Sequence, residues 1–209
     1  MDLSVKKDIF IKMNRAITTC TKCRLCKSRK NSVPGEGSLK ANVVFVGEAP
    51  GAQEDDQGRP FVGRSGMLLN EMLLKIGLSR QKVWIGNVIK CRPPENRDPM
   101  VDELRACTPY IETQVDIIDP KIVVTLGRIA MNYYLPNAKI ATSHGKPYKY
   151  KSRIIFPVYH PAAALRSTTL KEVLYKDFLR LSELLKTEYK NIKFEGENAS
   201  VKDDEISLF

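Results

Sequence analysis

Four short apolar runs constrain the fold of this chain more than any other feature of its sequence. The runs cover residues 42–47, 82–88, 121–127 and 153–158. Each is a largely continuous apolar stretch, which is typical of a strand buried on both faces. Segments with helical periodicity lie between them, and strands that alternate with helices favour a parallel sheet with helices on both faces. The sequence therefore predicts an α/β protein.

Helical patterns fill much of the remaining chain. Helices are expected over residues 5–19, 67–77, 98–118, 128–134 and 170–185. Asp98 followed by Pro99 supplies an N-cap and a helix-compatible first position for the third of them. The polar, Gly-rich stretch between Gly47 and Gly66 is predicted to be a loop.

The chain has the size of one domain with a substantial core. From Glu188 onward the sequence turns polar and acidic. We therefore expect a single domain over residues 1–187 and a polar, frayed tail over residues 188–209. Within that tail, Ile206 and Phe209 have the spacing of a degenerate sliding-clamp-binding peptide, although an ordinary tail is the simpler interpretation.

Positive charge dominates the composition. The 34 Lys and Arg residues outnumber the 24 Asp and Glu residues, which gives a net charge of +10 at pH 7. This favours an anionic partner, with nucleic acid first, because its phosphate backbone attracts Lys and Arg without any sequence readout. A charged surface of the thermophile kind is the alternative, and both can hold.

The N-terminus carries no apolar signal segment, and no run approaches membrane-spanning length. We therefore expect no membrane partner and a reducing, cytoplasmic location. In such a compartment clustered cysteines suggest metal or cluster ligation more than disulfides.

Four of the five cysteines form one Cys-x-x-Cys knuckle and two distant lone thiols. They are Cys20, Cys23, Cys91 and Cys107. A metal or cluster on these residues would tie the N-terminal segment to the middle of the fold. Zinc accepts four thiolates, whereas Cys20, Cys23 and Cys26 imitate a ferredoxin run, so that Cys26 is a rival ligand. Chance placement of five thiols is the remaining alternative.

Three segments rich in Gly, carboxylate, amide and imidazole follow the ends of predicted strands. They are residues 47–63, 87–97 and 160–166. In open α/β sheets ligands collect outside the carboxyl ends of the strands, so the sequence predicts a small-ligand pocket at this rim. The first segment lacks both the P-loop signature and the Rossmann glycine spacing, which argues against a nucleotide cofactor.

The individual candidates also have purely structural interpretations. His160 precedes Pro161 and could cap a turn, and Asn87 could do the same. Phe61 and Leu165 could be ordinary core residues.

Motifs from all three segments occur in one order along the chain. They are Gly-Glu-Ala-Pro-Gly at 47–51 with Glu54 and Asp55, Gly-Arg-Pro-Phe-Val-Gly at 58–63, Asn-Val-Ile-Lys-Cys-Arg-Pro-Pro at 87–94 and His-Pro-Ala at 160–162. From Cys20 to about Leu185 the chain resembles the family 4 uracil-DNA glycosylases, which are prokaryotic and often thermophilic. Any one motif alone would be weak, but together they are highly specific.

The resemblance implies a three-layer α/β/α sandwich around a central four-stranded parallel sheet. It also implies a [4Fe–4S] cluster on Cys20, Cys23, Cys91 and Cys107, with Cys26 as a spare. Nothing in the sequence suggests redox chemistry, so we interpret the cluster as structural, ordering the Pro-rich loop after Cys91 against DNA. The implied activity is base excision repair of uracil-containing DNA by a monofunctional hydrolase that leaves an abasic site.

Reading uracil requires flipping the base out of the duplex into a tight pocket. The Asn87 carboxamide can accept from N3–H and donate to O4, a pattern that cytosine reverses. Phe61 would supply the stacking face. Similarity to the family places Glu54 against the C5 edge, where it would exclude the methyl group of thymine.

Cleavage of the glycosidic bond leaves negative charge on the base near O2. His160 and the backbone N–H groups of the turn at Glu48 and Ala49 are the expected donors. Better-known uracil glycosylases place an Asp in this loop to orient the attacking water, and Ala49 occupies that place here. The water-positioning group is therefore open between Glu48 and Asn96.

Leu165 and Arg166 follow His160 closely enough to enter the minor groove as a wedge and a backbone anchor. Four further basic residues are candidates either for phosphate contacts or for solvated surface charge: Arg92, Arg97, Lys146 and Lys149.

Other functions stay open at this point. One is a glycosylase of broader base preference, because Ala49 and Gly51 open the loop. Another is a non-catalytic iron–sulfur protein that binds nucleic acid, and a zinc-ribbon regulator is least favoured. We expect a monomer, associated with the nucleoid.

Overall fold

A computed structural model describes residues 2–195. In this part of the chain six strands form one sheet: β1 (Glu36–Gly37), β2 (Val43–Gly47), β3 (Trp84–Asn87), β4 (Ile122–Leu126), β5 (Tyr148–Tyr150) and β6 (Arg153–Val158). The helices are α1 (Leu3–Thr18), α2 (Ala52–Gln57), α3 (Arg64–Lys75), α4 (Val101–Ile118), α5 (Arg128–Tyr134), α6 (Ile140–Ser143), α7 (Pro161–Ala164) and α8 (Thr168–Lys186). The α/β class is thus confirmed.

The sheet is mixed and has more strands than expected. Its order is β1-β3-β2-β4-β6-β5. The inner strands β3, β2, β4 and β6 pair in parallel, whereas β1 and β5 add to the two edges in antiparallel fashion. The expected sheet of four parallel strands was therefore too small, because strands this short carry no periodicity of their own.

Alternate residues of the inner strands face two separate cores. On β2, Val44 and Val46 join one core, which also receives α1, α4 and α5. Val43 and Phe45 join the other, which receives α3 and α8. Helices therefore cover both faces, which explains why these strands read as continuous apolar runs.

Two details of the helices differ from the sequence prediction. The helix α4 begins at Val101 with Met100 as N-cap, and not at Asp98, because the Glu103 side chain accepts a hydrogen bond from the Met100 N–H at 2.8 Å. The short helix α2 lies in the stretch predicted to be a loop. It escaped notice because its residues form no apolar stripe.

Residues beyond α8 return to the fold. Ile192 and Phe194 pack against the core that α3 and α8 cover, and the Glu195 N–H donates to the Pro147 carbonyl at 3.0 Å. The proposed sliding-clamp peptide at residues 203–209 lies outside the described residues. Within residues 2–195, no helix combines the length and the apolar character that crossing a membrane requires.

Candidate functional site

The carboxyl ends of the four inner strands bring the predicted segments to one rim. β2 lies between β3 and β4, so the chain leaves β2 toward one side of the sheet and later continues on the other. Such a switch point opens a crevice above the strand ends. Asn87 ends β3 and pairs in register with Gly47 at the end of β2, and His160 follows β6 by two residues.

Asn87 presents an unused acceptor at this rim. Its side chain is 1% exposed, and Oδ1 has no hydrogen-bond partner among the described residues. A buried polar atom without a partner costs about 1–3 kcal/mol, so its presence in a crevice indicates a ligand group.

Gly47 brings the Asn87 carboxamide and the Phe61 ring together. A Cβ at position 47 would lie 2.4 Å from Asn87 Oδ1 and 2.6 Å from Phe61 Cζ. Both distances are shorter than van der Waals contact, so only glycine fits between the two side chains. The Phe61 and His160 rings lie 5.8 Å apart, tilted by 31°. The structure thus brings Phe61, Asn87 and His160 to one place.

The loop that carries Phe61 is strained and firmly held. Phe61 has a φ of +50°, a left-handed conformation that costs a bulky residue free energy. Glu54 Oε1 accepts from the N–H groups of Val62 and Gly63, both at 2.9 Å. Glu54 therefore fixes the loop beside the ring, a contact that the expected position at the C5 edge did not include.

His160 is held in a defined tautomer. Its Nδ1 accepts from the Ala162 N–H at 3.1 Å as the N-cap of α7, so the proton of a neutral imidazole sits on Nε2. Burial lowers the pKa of His160 to about 4, against a smaller opposing effect of Glu54. The imidazole is neutral at pH 7 and offers Nε2–H as a donor. The interpretation as a turn cap is thus also correct.

Glu48 has the properties of a base near neutral pH. Burial first, and the charge of Asp98 second, raise its pKa to about 7, while Arg128 opposes the rise. Asp98 and Arg128 form an ion pair at 2.7 Å. This pair was not predicted, since the two residues stand far apart in the sequence.

The other residues of the rim differ in how they are placed. Ala49 is partly buried against the core beside α4. Asn96 is exposed with a φ of +56°, and its Oδ1 accepts from Arg92 Nε at 2.8 Å. Of the two candidates for positioning water, Glu48 is half-buried and Asn96 is exposed.

The predicted DNA-contacting residues lie at the surface. Leu165 is 37% exposed and Arg166 is exposed as well, so Leu165 is not a core residue. Arg97 Nη2 forms an ion pair with Oε1 of the buried Glu103 at 2.6 Å. Lys146 Nζ forms an ion pair with Glu195 Oε2 at 3.3 Å. The Arg97 ion pair ties the Pro-rich loop to α4, which is a structural role.

All five cysteines line one small cavity between α1, α4 and the loop after β3. Arg29 Nη1 lies 3.1 Å from Cys91 Sγ, and the Lys90 N–H donates to Cys107 Sγ at 3.2 Å. Within residues 2–195 no group of three or more His, Cys, Asp or Glu side chains is close enough to hold a single metal ion. The five thiols thus share one cavity, and two of them receive N–H donors, so the cavity is the place where these residues could hold a metal group.

The rim and the cysteine cavity are linked by the short stretch from Asn87 to Cys91, which is held by several hydrogen bonds. The N–H groups of Val88 and Ile89 donate to the carbonyls of Gly47 and Glu48, both at 2.9 Å. The buried Lys90 Nζ donates to the Asn87 carbonyl at 2.7 Å, and to Gln114 Oε1 at 2.7 Å. One strand end therefore connects the Asn87 carboxamide to the thiols.

Two site residues were missed by sequence reasoning. Gly127 has a φ of +90°, and a Cβ there would lie 2.9 Å from the His160 Cβ. In the sequence it was only the last residue of the predicted strand 121–127. Arg80 contacts the Phe61 loop through hydrogen bonds, and nothing in its sequence surroundings indicates this.

Comparison with known proteins agrees with this geometry. The sequence model of the uracil DNA glycosylase superfamily matches residues 34–181, which include every rim segment. A type-4 uracil-DNA glycosylase of Sulfurisphaera tokodaii is 50% identical over 187 residues, covering 85% of each chain.

More distant relatives carry related names. A type-4 uracil-DNA glycosylase of Thermotoga maritima is 38% identical over 188 residues, covering 88% of this chain and 98% of the relative. A type-5 uracil-DNA glycosylase of Thermus thermophilus is 30% identical over 176 residues, covering 68% and 80%. The resemblance expected from the motifs is confirmed: this chain belongs to the uracil DNA glycosylase superfamily, among its type-4 members.

Proposed function

We propose that this protein removes uracil from DNA by hydrolysing the N-glycosidic bond, and that it leaves an abasic site without cutting the strand. The observation that carries the proposal is the buried Asn87 Oδ1 without a partner, beside the Phe61 and His160 rings. The type-4 relatives support it through their names. A non-catalytic DNA-binding role is not favoured, because such a role gives no reason for the unpaired acceptor.

Asn87 reads the flipped base. Oδ1 accepts from uracil N3–H while the amide nitrogen donates to O4, so the acceptor is satisfied only when uracil is bound. Cytosine offers an acceptor at N3 and a donor at position 4, which leaves two mismatched groups at about 1–3 kcal/mol each. The Phe61 ring stacks on the pyrimidine, and the crowded surroundings of Glu54 exclude the methyl group of thymine.

His160 stabilises the departing base. As the deoxyribose gains oxocarbenium character, negative charge grows on uracil O2, and Nε2–H of the neutral imidazole donates to it. The Ala162 N–H holds this tautomer in place before reaction, so no reorganisation is needed at the transition state. One such donor contributes about 10²–10³-fold in rate.

Glu48 holds the attacking water. A half-buried carboxylate with a pKa of about 7 is suited to accept a proton from water near neutral pH. Ala49 offers no side chain for this task.

Cys20, Cys23, Cys91 and Cys107 would hold a [4Fe–4S] cluster, with Cys26 as a spare thiol of the same cavity. When bound, the cluster supplies a rigid covalent junction rather than redox chemistry. Cys91, as one of its ligands, would fix the start of the loop that runs to Arg97, next to the rim. The four inner parallel strands, with the two edge strands and the α/β/α layers, form the scaffold of a single domain that we place at residues 1–187.

Leu165 acts as the wedge that fills the gap left by the flipped base, with Arg166 on the DNA backbone. The net charge of +10 supports binding to this polyanion. Action as a monomer and docking of residues 203–209 to a sliding clamp both stay predictions.

The test is incubation of the purified protein with duplexes carrying uracil, hypoxanthine or thymine, with detection of free base and of alkali-labile abasic sites. We expect release of uracil alone, and a His160→Ala rate lower by about 10²–10³-fold. DNA binding without base release would overturn the proposal, and release of hypoxanthine at a similar rate would indicate broader specificity. An unchanged rate in His160→Ala would remove His160 from the mechanism.

A further inference from the structure

Arg80 uses every donor that a guanidinium has. Its Nε and Nη2 donate to Glu36 Oε1, the former at 3.1 Å and the latter at 2.5 Å. Nη1 donates to the Phe61 carbonyl at 3.0 Å and to Asn70 Oδ1 at 3.2 Å, and Nη2 also donates to the Pro60 carbonyl at 2.6 Å. Since arginine carries five N–H donors in a fixed fork, the side chain is saturated and its geometry is over-determined.

Two of those hydrogen bonds end on the strained loop. The carbonyls of Pro60 and Phe61 flank the residue whose φ is +50°. Such a conformation persists only where the surroundings hold it. Without Arg80, these carbonyls would lose their partners and the backbone would be free to relax toward a negative φ, which would turn the Phe61 ring.

The far side of the loop is also closed. Glu54 holds the N–H groups of Val62 and Gly63. At Gly66 in the first turn of α3, a Cβ would lie 1.9 Å from the Phe61 carbonyl oxygen. Helix α3 therefore packs closely against the same carbonyl that Arg80 binds.

We propose that Arg80 is a positioning residue for uracil recognition, which acts through Phe61 by holding the aromatic ring at the stacking angle. The inference rests on the proposed function. Arg80 touches no substrate in this arrangement; its ordered partners are Glu36, Asn70 and two backbone carbonyls. Its contribution is to keep the stacking surface in place before the base arrives, so the free energy of ordering is not taken from binding.

The chain offers a matched control. Arg59 also binds Glu36, with Nε to Oε2 at 2.8 Å and Nη2 to Oε1 at 3.2 Å, but no hydrogen bond links it to the carbonyls of Pro60 or Phe61. Its side chain is 60% exposed, against 18% for Arg80. Arg59→Met therefore removes an arginine from the same carboxylate and leaves the loop contacts in place.

The experiment is a double-mutant cycle on the full chain. Arg80→Met, Phe61→Ala, the double variant and Arg59→Met are assayed for kcat and KM on a uracil duplex, and for inhibition by free uracil, well below their melting temperatures. We expect Arg80→Met to lower kcat/KM by about 10–100-fold, and to weaken inhibition by uracil about fivefold or more, since stacking on an aromatic ring is worth about 1–3 kcal/mol per base.

In the Phe61→Ala background, Arg80→Met should change kcat/KM less than about twofold, because residues that act through one another are not additive. Arg59→Met should stay near wild type. If the two losses multiply in the double variant, Arg80 does not act through Phe61 and the proposal is overturned. Arg80→Lys keeps the positive charge with three donors and is used if Arg80→Met does not fold. If folded Arg80→Lys is inhibited by free uracil as strongly as the wild type, the proposal is also overturned. A wild-type protein that releases no uracil contradicts the proposed function instead.

Discussion

The short stretch of chain from Asn87 to Cys91 joins two regions, the rim at Phe61, Asn87 and His160 and the cavity of the five cysteines. The two regions differ in what holds their side chains. At the rim, protein groups hold two of the three side chains: the Ala162 N–H holds the His160 ring, and Glu54 holds the loop that carries Phe61. In the cysteine cavity, Arg29 and the Lys90 N–H each reach one sulfur. Protein groups thus hold much of the rim in place, whereas we propose that a bound cluster completes the cavity.

Burial acts on both regions with opposite consequences. It lowers the pKa of His160 to about 4 and so keeps the imidazole neutral near pH 7. It raises the pKa of Cys107 to about 12, although a metal ligand must be a thiolate. Burial thus favours the neutral form of His160 at the rim and disfavours a charged Cys107 thiolate in the cavity.

The largest effect should come from breaking the cavity. Cys107→Ala should abolish visible iron–sulfur absorption and lower stability by about 4 kcal/mol or more, a fall in melting temperature of about 8–16 °C for a chain of this size. Cys26→Ala is the control and should retain both colour and stability. Loss of colour in Cys26→Ala, with colour kept in Cys107→Ala, would reverse the assignment of the ligands.

A substitution at the rim should lower activity strongly and change stability little. Asn87→Ala should lower kcat/KM on uracil DNA by about 10²-fold, as two hydrogen bonds to the base are lost. Its melting temperature should change little, because the substitution also removes a buried acceptor that lacks a partner. Steady-state kinetics and thermal melts of the same preparation test this. A large fall in melting temperature with unchanged kcat/KM would mean that Asn87 is structural.

The smallest effect concerns the pH dependence of kcat/KM, through the ionisation of Glu48. If Glu48 must be ionised, kcat/KM rises with pH up to about 7 and is level above it, since His160 is protonated only near pH 4. Asp98→Asn removes a negative charge that raises the pKa of Glu48, so this acid limb should move to lower pH by less than about one unit.

Asp102→Asn is the control for that shift. Asp102 pairs with Arg24 at 2.8 Å and is not among the causes of the Glu48 shift, so its pH profile should match the wild type. A limb that stays in place in Asp98→Asn, or that persists in Glu48→Gln, would exclude Glu48 as the titrating group.

The sequence predicted what depends on local pattern. The inner strands were found because burial on both faces leaves continuous apolar runs. The position of Asn87 and His160 at the rim was predicted because both lie at or just after the carboxyl ends of these strands. The edge strands β1 and β5 were missed, since two or three residues make no pattern. Asp98 was misplaced as an N-cap because the deciding contact is the Glu103 side chain at Met100.

Residues whose partners are distant in sequence could not be found in this way. Arg80 binds Glu36 and the Phe61 carbonyl across 44 and 19 positions of the chain. Asp98 reaches Arg128 across 30 positions. Each of these contacts depends on tertiary packing. In the sequence alone, Arg80, Asp98 and Arg128 look like ordinary charged surface residues.

The stretch from Asn87 to Cys91 has a consequence for how this protein can vary. Its backbone is hydrogen-bonded at Val88, Ile89 and Lys90, and its two ends carry the proposed base-reading amide and a thiol of the cysteine cavity. Substitutions inside it can keep the spacing, but adding or deleting one residue would displace Asn87 relative to Cys91. Natural selection should therefore act more strictly on the length of this stretch than on the identity of its middle residues.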